Sequence, residues 1–260
     1  MIRAAWRLVR ATVHALHGLW VIKTEFGRLD AAGRHARIRW WSAKMLRVLG
    51  MRLDATGTPR PGATLLISNH VSWLDIMAIH SVAPHARFVS KADVKHWPLI
   101  GELVSGAGTL FIERERKRDA LRVVHQIAEA LQAGETVAVF PEGTTSDGRS
   151  LLPFHANLLQ AAISVAAPIQ PVLLRFADAH HAVSPSAEYT GDTTLAQSLW
   201  RIAGADRLVV HVDFGLPEGT AHADRRALAD KLRGDLLQRL EAAQRGIEVP
   251  SAPAGIQDLP

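Results

Sequence analysis

From Met51 onward the chain alternates short apolar runs with longer amphipathic segments, and this alternation restricts the possible folds strongly. Several runs are apolar along their whole length, which is typical of strands buried on both faces of a sheet. The sequence therefore predicts an α/β fold with a mixed, mostly parallel sheet covered by helices. The predicted strands are 64–68, 87–90, 109–112, 136–140, 168–175 and 207–213, and the predicted helices are 72–81, 116–133, 156–166, 194–203 and 222–243.

The first 50 residues carry a different pattern, that of two basic amphipathic helices. They hold ten Lys or Arg side chains against two acidic ones, although the net charge of the whole chain is only +5. In the first helix the apolar stripe consists of Ile2, Trp6, Val9, Val13, Leu16 and Trp20. The basic stripe beside it consists of Arg3, Arg7, Arg10, His14 and His17. The segment 34–49 has a similar apolar stripe of Ile38, Trp41, Met45 and Val48.

Tryptophan-containing basic helices suit the headgroup level of a bilayer. The sequence thus predicts a membrane-anchoring helical region over 1–50, an α/β domain over 51–247 and a flexible tail over 248–260. An anionic membrane surface is the expected partner of the helices, and packing of both against the α/β domain is the alternative.

Neither a signal peptide nor a spanning helix is predicted, because charged and polar residues interrupt the apolar stretches near the N-terminus. A chain without either should stay on the side of the membrane where it is made. The expected location is therefore peripheral or monotopic, at the cytoplasmic face of the inner cell membrane.

One histidine and one aspartate directly follow the predicted strand 64–68. The segment reads Asn-His-Val-Ser-Trp-Leu-Asp and places His70 five residues before Asp75. On one continuous helix this spacing would turn the two side chains about 140° apart, so they can meet only across a strand-to-helix turn. A carboxylate bound to one imidazole nitrogen leaves the other free to take a proton from a hydroxyl. The pair is a candidate general base with its orienting group, although two such residues also occur at this spacing without contact.

Three further segments place distinctive residues at or in predicted strands. Arg114 follows the strand 109–112, where an open sheet forms its ligand crevice. Residues 140–146, Phe-Pro-Glu-Gly-Thr-Thr-Ser, combine a carboxylate, a glycine and three hydroxyl groups. Pro171 lies inside the apolar strand 168–175, and a proline normally confines a strand to an edge or a bulge.

In this order and spacing, the four segments resemble the lysophospholipid and glycerolipid acyltransferase family, of which lysophosphatidic acid acyltransferases are typical. The resemblance covers residues 40–215. It implies an O-acyltransferase that moves a fatty acyl group from acyl-CoA or acyl carrier protein to the free hydroxyl of a lysolipid. The first acceptor that it implies is 1-acylglycerol-3-phosphate, which would give phosphatidic acid. The family needs neither a cofactor nor a metal.

The resemblance also implies roles for the matching residues. It makes His70 the general base and Asp75 its orienting carboxylate, and it puts Pro171 beside the region of the acyl carrier. The substrate-binding residues that it implies are Lys91, Arg114, Glu142, Gly143, Thr144 and Thr145. Of these, Lys91 could contact a phosphate or could be an exposed structural lysine.

The chain departs from the family in the loop 140–146. Most phosphate-accepting members resemble Phe-Pro-Glu-Gly-Thr-Arg-Ser, whereas here Thr145 replaces the arginine. A hydroxyl brings no positive charge to a phosphate. The longer run that ends in Asp147 and Gly148 is similar to members that acylate lyso-ornithine lipid, so O-acylation of that lipid is the alternative.

Other classes of protein explain the sequence less well. The pI of about 10.1 would suit a nucleic-acid partner, but aromatic residues are scarce and the basic ones accompany tryptophans at helical spacing, so none is expected. No metal site is expected, because the 13 histidines lack His-Glu-x-x-His spacing and the chain has no cysteine. A lipid or thioester hydrolase that uses the same His–Asp pair is the more distant alternative.

Overall fold

A computed structural model describes residues 1–97, 99–112 and 117–246. The strands are β1 (Met51–Thr56), β2 (Thr64–Ser68), β3 (Arg87–Lys91), β4 (Leu110–Ile112), β5 (Thr136–Val139), β6 (Ile169–Ala177) and β7 (Leu208–Phe214). The α-helices are α1 (Ile2–Thr24), α2 (Ala31–Val48), α3 (Leu74–Val82), α4 (Ile100–Gly106), α5 (Lys117–Gln132), α6 (Gln160–Ser164), α7 (Leu195–Gly204) and α8 (Arg225–Gln244). Short 3₁₀ helices cover Ala92–His96 and Ala156–Leu158.

The seven strands form one sheet in the order β1-β7-β6-β2-β5-β3-β4. Strands β2 to β6 run parallel to one another, and among the strand pairs of the described residues only β6–β7 is antiparallel. The predicted mixed, mostly parallel sheet is therefore confirmed. Because parallel strands end at the same edge, the residues that follow β2 and β5 lie next to each other.

Helices cover both faces of this sheet. Along β2, Leu66 packs into an apolar cluster with residues of α2, α3 and α7, whereas Leu65 and Ile67 pack into a second cluster with residues of α5, α6 and α8. All five residues of β2 are buried. This two-sided burial is the reason that the strand reads as an uninterrupted apolar run.

The structure differs from the predicted elements at three places. Strand β1 and helix α4 were not predicted, and the predicted helix 156–166 is a 3₁₀ turn followed by the short helix α6. In β1 only the first residue, Met51, is buried. This edge strand therefore lacks the apolar run from which a strand could be predicted. The predicted tail, 248–260, lies outside the described residues.

Pro171 occupies a strand in the interior of the sheet, so of the two expected positions, an edge or a bulge, the edge does not apply. Strand β6 lies between β7 and β2. On the β7 side the ladder starts only at Val172, opposite Phe214, and the Pro171 carbonyl accepts a hydrogen bond from the N–H of Gly215. The proline therefore lies just outside the regular β6–β7 ladder, where a missing N–H does not interrupt it.

Helix α2 packs against the α/β domain through its predicted apolar stripe. Met45 and Val48 are buried in the cluster that also contains Leu66, and Trp41 is half-buried. The Trp41 indole N–H donates to the His14 carbonyl of α1 at 3.1 Å. For α2, packing on the domain is thus the interpretation that agrees with the structure.

Helix α1 presents the opposite arrangement. Its apolar stripe, from Ile2 to Trp20, is 49–89% exposed. Part of the basic stripe contacts the protein instead: Arg3 pairs with Asp206 at 2.8 Å, and Arg7 donates to main-chain carbonyls at the end of α7. None of the described helices is long and apolar enough to cross a membrane.

His80 in α3 gives the fold a pH dependence. It is buried, with Nε2 at 3.0 Å from the Ala86 carbonyl oxygen. Burial lowers the pKa of His80 from 6.5 to about 4, although the hydrogen bond to Ala86 acts the other way. The unfolded chain takes up a proton near pH 6.5 that the folded chain excludes until about pH 4.

We therefore expect the free energy of unfolding to fall as the pH is lowered from 6.5 to 4, by on the order of 3 kcal/mol from His80 alone. His80→Gln keeps an N–H donor for the Ala86 carbonyl and cannot titrate. Urea unfolding of both proteins at several pH values measures the difference. Identical slopes for the variant and the wild type would contradict this assignment.

Candidate active site

His70 and Asp75 meet across the turn that joins β2 to α3. Nδ1 of His70 lies 2.7 Å from Oδ2 of Asp75, so the predicted contact is confirmed. The side chain of Asp75 is fully buried, whereas that of His70 is 20% exposed. Nε2 of His70 makes no hydrogen bond to any residue in the described ranges. The imidazole therefore has one nitrogen held inside the protein and one available to a ligand.

Asp75 also holds the main chain of the turn. The same oxygen, Oδ2, accepts from the N–H groups of Val71 at 2.7 Å and Ser72 at 2.9 Å. A buried carboxylate needs such donors, because removing its charge from water is costly. The turn and the orientation of the imidazole thus depend on one buried oxygen atom.

The loop 140–146 holds His70 by its main chain. The His70 N–H donates to Oε1 of Glu142 at 2.8 Å, and the His70 carbonyl accepts from the Ser146 N–H at 2.7 Å. The second oxygen of Glu142 accepts from the Leu152 N–H at 2.9 Å. Burial raises the pKa of Glu142, while the two N–H donors and the His70 charge oppose that shift. Glu142 is implied by the resemblance as a substrate contact, and here both its oxygens bind the main chain.

Gly143 needs its glycine for two reasons. Its φ is +73°, and its N–H closes a turn onto the Phe140 carbonyl at 3.0 Å. A Cβ at this position would lie 2.9 Å from Cδ2 and 3.0 Å from Nε2 of His155. The loop therefore bends sharply here and passes directly under the His155 ring.

The two threonines of the loop lie in different environments. Thr144 is exposed. Thr145 is half-buried, and its hydroxyl donates to the carbonyl of Tyr189, whose own N–H donates to the Val71 carbonyl at 3.2 Å. The hydroxyl hydrogen of Thr145 is thus already used inside the protein.

The other predicted substrate-binding residues belong to β3 and the segment after β4. The main chain places Lys91 at the end of β3, paired in register with Ile112. Arg114 lies outside the described residues.

Two residues of the site make contacts that the sequence did not predict. Phe140 stacks on the His70 imidazole, with ring centroids 4.0 Å apart and planes at 9°. The Asn69 side chain exchanges two hydrogen bonds with the main chain of Leu174 in β6, at 2.8 and 2.9 Å. Both residues lie inside the two motifs that carry the family resemblance most specifically. That position could have identified them as site residues, because no local pattern in the sequence predicts either contact.

Comparisons with known proteins identify the family of the chain. An acyltransferase family model matches residues 54–175. A 1-acyl-sn-glycerol-3-phosphate acyltransferase of Neisseria meningitidis is 38% identical over 185 residues, which cover 71% of this chain and 72% of the relative. The chain belongs to the acyltransferase family.

Two further relatives are informative about this acyltransferase. A lyso-ornithine lipid O-acyltransferase of Pseudomonas aeruginosa is 35% identical over 75% of each chain. The crystal structure of PlsC, the 1-acyl-sn-glycerophosphate (LPA) acyltransferase of Thermotoga maritima, superposes with a TM-score of 0.65. That match covers 90% of this chain and 96% of PlsC at 16% identity, so it shows a shared fold. The predicted family and enzyme class, acyltransferase, are confirmed.

The Glu142 contacts predict a measurable loss of stability. Glu142→Ala leaves the N–H groups of His70 and Leu152 without their acceptor, and an unpaired buried N–H costs about 1–3 kcal/mol. We expect the free energy of unfolding to fall by about 2 kcal/mol or more. Thr144→Ala, at an exposed neighbour, is the matched control and should stay within about 0.5 kcal/mol. Equal stability of the two variants in urea titrations would show that Glu142 does not support the turn.

Proposed function

We propose that this acyltransferase moves a fatty acyl group from a thioester donor, acyl-CoA or acyl carrier protein, to the free hydroxyl of a lysolipid. The observation that carries the proposal is the contact of 2.7 Å between His70 Nδ1 and the buried carboxylate of Asp75. With Nδ1–H held by the carboxylate, the neutral imidazole presents an unprotonated Nε2 at the surface of the site.

In the proposed reaction, Nε2 of His70 takes the proton of the acceptor hydroxyl while the hydroxyl oxygen attacks the thioester carbonyl. The carbon–sulfur bond then breaks, and the imidazolium returns its proton to the leaving thiolate. Asp75 stabilises the imidazolium through the same hydrogen bond that fixes the tautomer. The acyl group passes directly between two bound substrates, and the proposal needs no cofactor and no metal.

The acceptor that we place first is 1-acylglycerol-3-phosphate, which gives phosphatidic acid. The name of the Neisseria relative supports this choice. We assign the positive charge for its phosphate to two residues, Lys91 at the end of β3 and Arg114, which comes shortly after Ile112 in the sequence.

Lyso-ornithine lipid is the second candidate acceptor. The observation that favours it is Thr145, which replaces a potential phosphate-binding arginine and donates its hydroxyl hydrogen to Tyr189 instead. The name of the Pseudomonas relative supports the same alternative. Incubation of the enzyme and acyl-CoA with both lysolipids, followed by mass analysis of the products, distinguishes the two acceptors.

Substitution of the His–Asp pair tests the mechanism. His70→Ala should remove nearly all acyl transfer, because the base is lost. Asp75→Asn should lower kcat about a hundredfold, because the base remains but loses its orientation. Single-turnover product formation measures both, and circular dichroism checks folding. His70→Ala activity within about tenfold of the wild type would reject His70 as the base.

The exposed stripe of α1 supports a second part of the proposal, that the enzyme binds a membrane surface. Two members of the stripe, Trp6 and Trp20, are 61% and 55% exposed. Exposed apolar residues in a continuous row are typical of interfacial helices. We place the enzyme on the cytoplasmic face of the inner membrane, where its lysolipid acceptor is dissolved in the bilayer.

The structure changes the expected balance of forces in this binding. Arg3 and Arg7 are engaged with α7 and Asp206, so they contribute less to attraction by anionic lipids than the charge count suggests. The tryptophans and aliphatic residues of the stripe should therefore dominate. Deleting residues 1–50 would remove Met45 and Leu46 from the core, so point substitutions test the surface more cleanly.

The double variant Trp6→Ser, Trp20→Ser should weaken binding to vesicles of phosphatidylglycerol and phosphatidylethanolamine at least tenfold, because the interfacial indoles are lost. The control Leu121→Ser, Leu216→Ser removes two side chains that are 74% and 72% exposed outside α1, and it should bind like the wild type. Vesicle flotation at low and high salt measures both. Equal binding of the two double variants would refute the α1 surface.

A further inference from the structure

We propose that Phe140 is a positioning residue for acyl transfer, which fixes the plane of the His70 imidazole and stabilises the imidazolium that forms when Nε2 takes the proton. This inference rests on the proposed function of His70. It adds a residue to the mechanism that acts on the face of the ring, whereas Asp75 acts on its edge.

The geometry of the two rings is that of a parallel stack. Their centroids lie 4.0 Å apart and their planes differ by 9°. The hydrogen bond from Nδ1 to Asp75 holds the ring at one edge and does not support its faces. The flat face of Phe140 supports one of these faces and restricts tilting of the ring. Together the two contacts set the direction in which Nε2 points.

Phe140 cannot easily move away from the imidazole. The fully buried ring of Phe88 lies behind it, at 5.8 Å and 23°. The edge of His80 contacts Phe88 in turn, at 4.9 Å and 83°. The main chain of Phe140 is also held, because its carbonyl accepts a hydrogen bond from the N–H of Gly143. The aromatic column therefore holds the ring of Phe140 in place against His70.

The stack favours the charged imidazole over the neutral one. The face of a phenyl ring is electron-rich and attracts a cation within about 6 Å of its centroid. The distance of 4.0 Å lies well inside this limit. His70 becomes cationic only while it holds the proton of the acceptor hydroxyl, so the contact strengthens as the transition state is approached.

Two carboxylates face the same imidazole and must be kept constant in any test. Asp75 of α3 binds Nδ1, and Glu142 accepts from the His70 main-chain N–H. Ser146, the third contact from the loop 140–146, bears no charge. A change at Phe140 leaves these groups in place, so its electrostatic effect can be measured separately.

Phe140→Leu is the test variant, Phe140→Tyr keeps the aromatic face, and Phe176→Leu is the control. Phe176 is a fully buried phenylalanine of the same apolar cluster and belongs to β6. We expect Phe140→Leu to lower kcat about ten- to a hundredfold with little change in KM for the acceptor. The acidic limb of its pH–rate profile should move to lower pH by about half to one unit. Phe140→Tyr should restore the rate to within about threefold and the limb to its original place.

A result that contradicts the inference can be distinguished clearly from the expected one. If Phe140→Leu and Phe176→Leu lose activity only in proportion to their loss of Tm, with unmoved pH profiles, Phe140 is a packing residue and the inference is wrong. Titration of the His70 ring by NMR in the same three variants requires no turnover. A lower midpoint in Phe140→Leu alone supports the stack even if His70→Ala shows that the proposed function fails, and identical midpoints overturn it.

Discussion

The buried carboxylate of Asp75 is the interaction on which the rest of the site depends. One of its oxygens takes hydrogen bonds from the His70 ring and from two main-chain N–H groups of the turn. A carboxylate removed from water is tolerated only where donors replace the lost solvation. The position of Asp75 in the first turn of α3 adds the favourable end of the helix dipole. The turn can therefore adopt few other conformations without leaving this charge unpaired.

The parallel arrangement of β2 and β5 brings a second loop into contact with this turn. Because both strands end at one edge, the loop that follows β5 can bind both main-chain groups of His70, through Glu142 and Ser146. On the other side of β2, the side chain of Asn69 forms hydrogen bonds with both main-chain groups of Leu174 in β6. The turn that carries His70 is thus supported from the two strands that flank β2, which gives it the rigidity that the proposed proton transfer requires.

Periodicity in the sequence predicted most of the strands and helices after Met51, because most strands are buried on both faces and most helices are amphipathic. The spacing of His70 and Asp75 indicated that they could meet only across a turn, and the family resemblance implied that they do meet. Periodicity could not predict β1, which buries little, or the interior position of Pro171, which depends on where the β7 ladder begins. The contacts of Phe140 and Glu142 with His70 could not be predicted either, because His70 lies far from both residues in the sequence.

The orientation of α1 shows why a count of charges is a weak guide to the side of a helix that faces a membrane. The last carbonyls of a helix lack partners within it, and guanidinium groups are well suited to bind them. Arg3 and Arg7 do this at the end of α7, where they contact the carbonyls of residues 203–205. Because Arg3 and Arg7 hold α1 against the protein, the helix turns its tryptophan stripe outward. The two arginines therefore determine which side of α1 is available for the membrane contact that we propose.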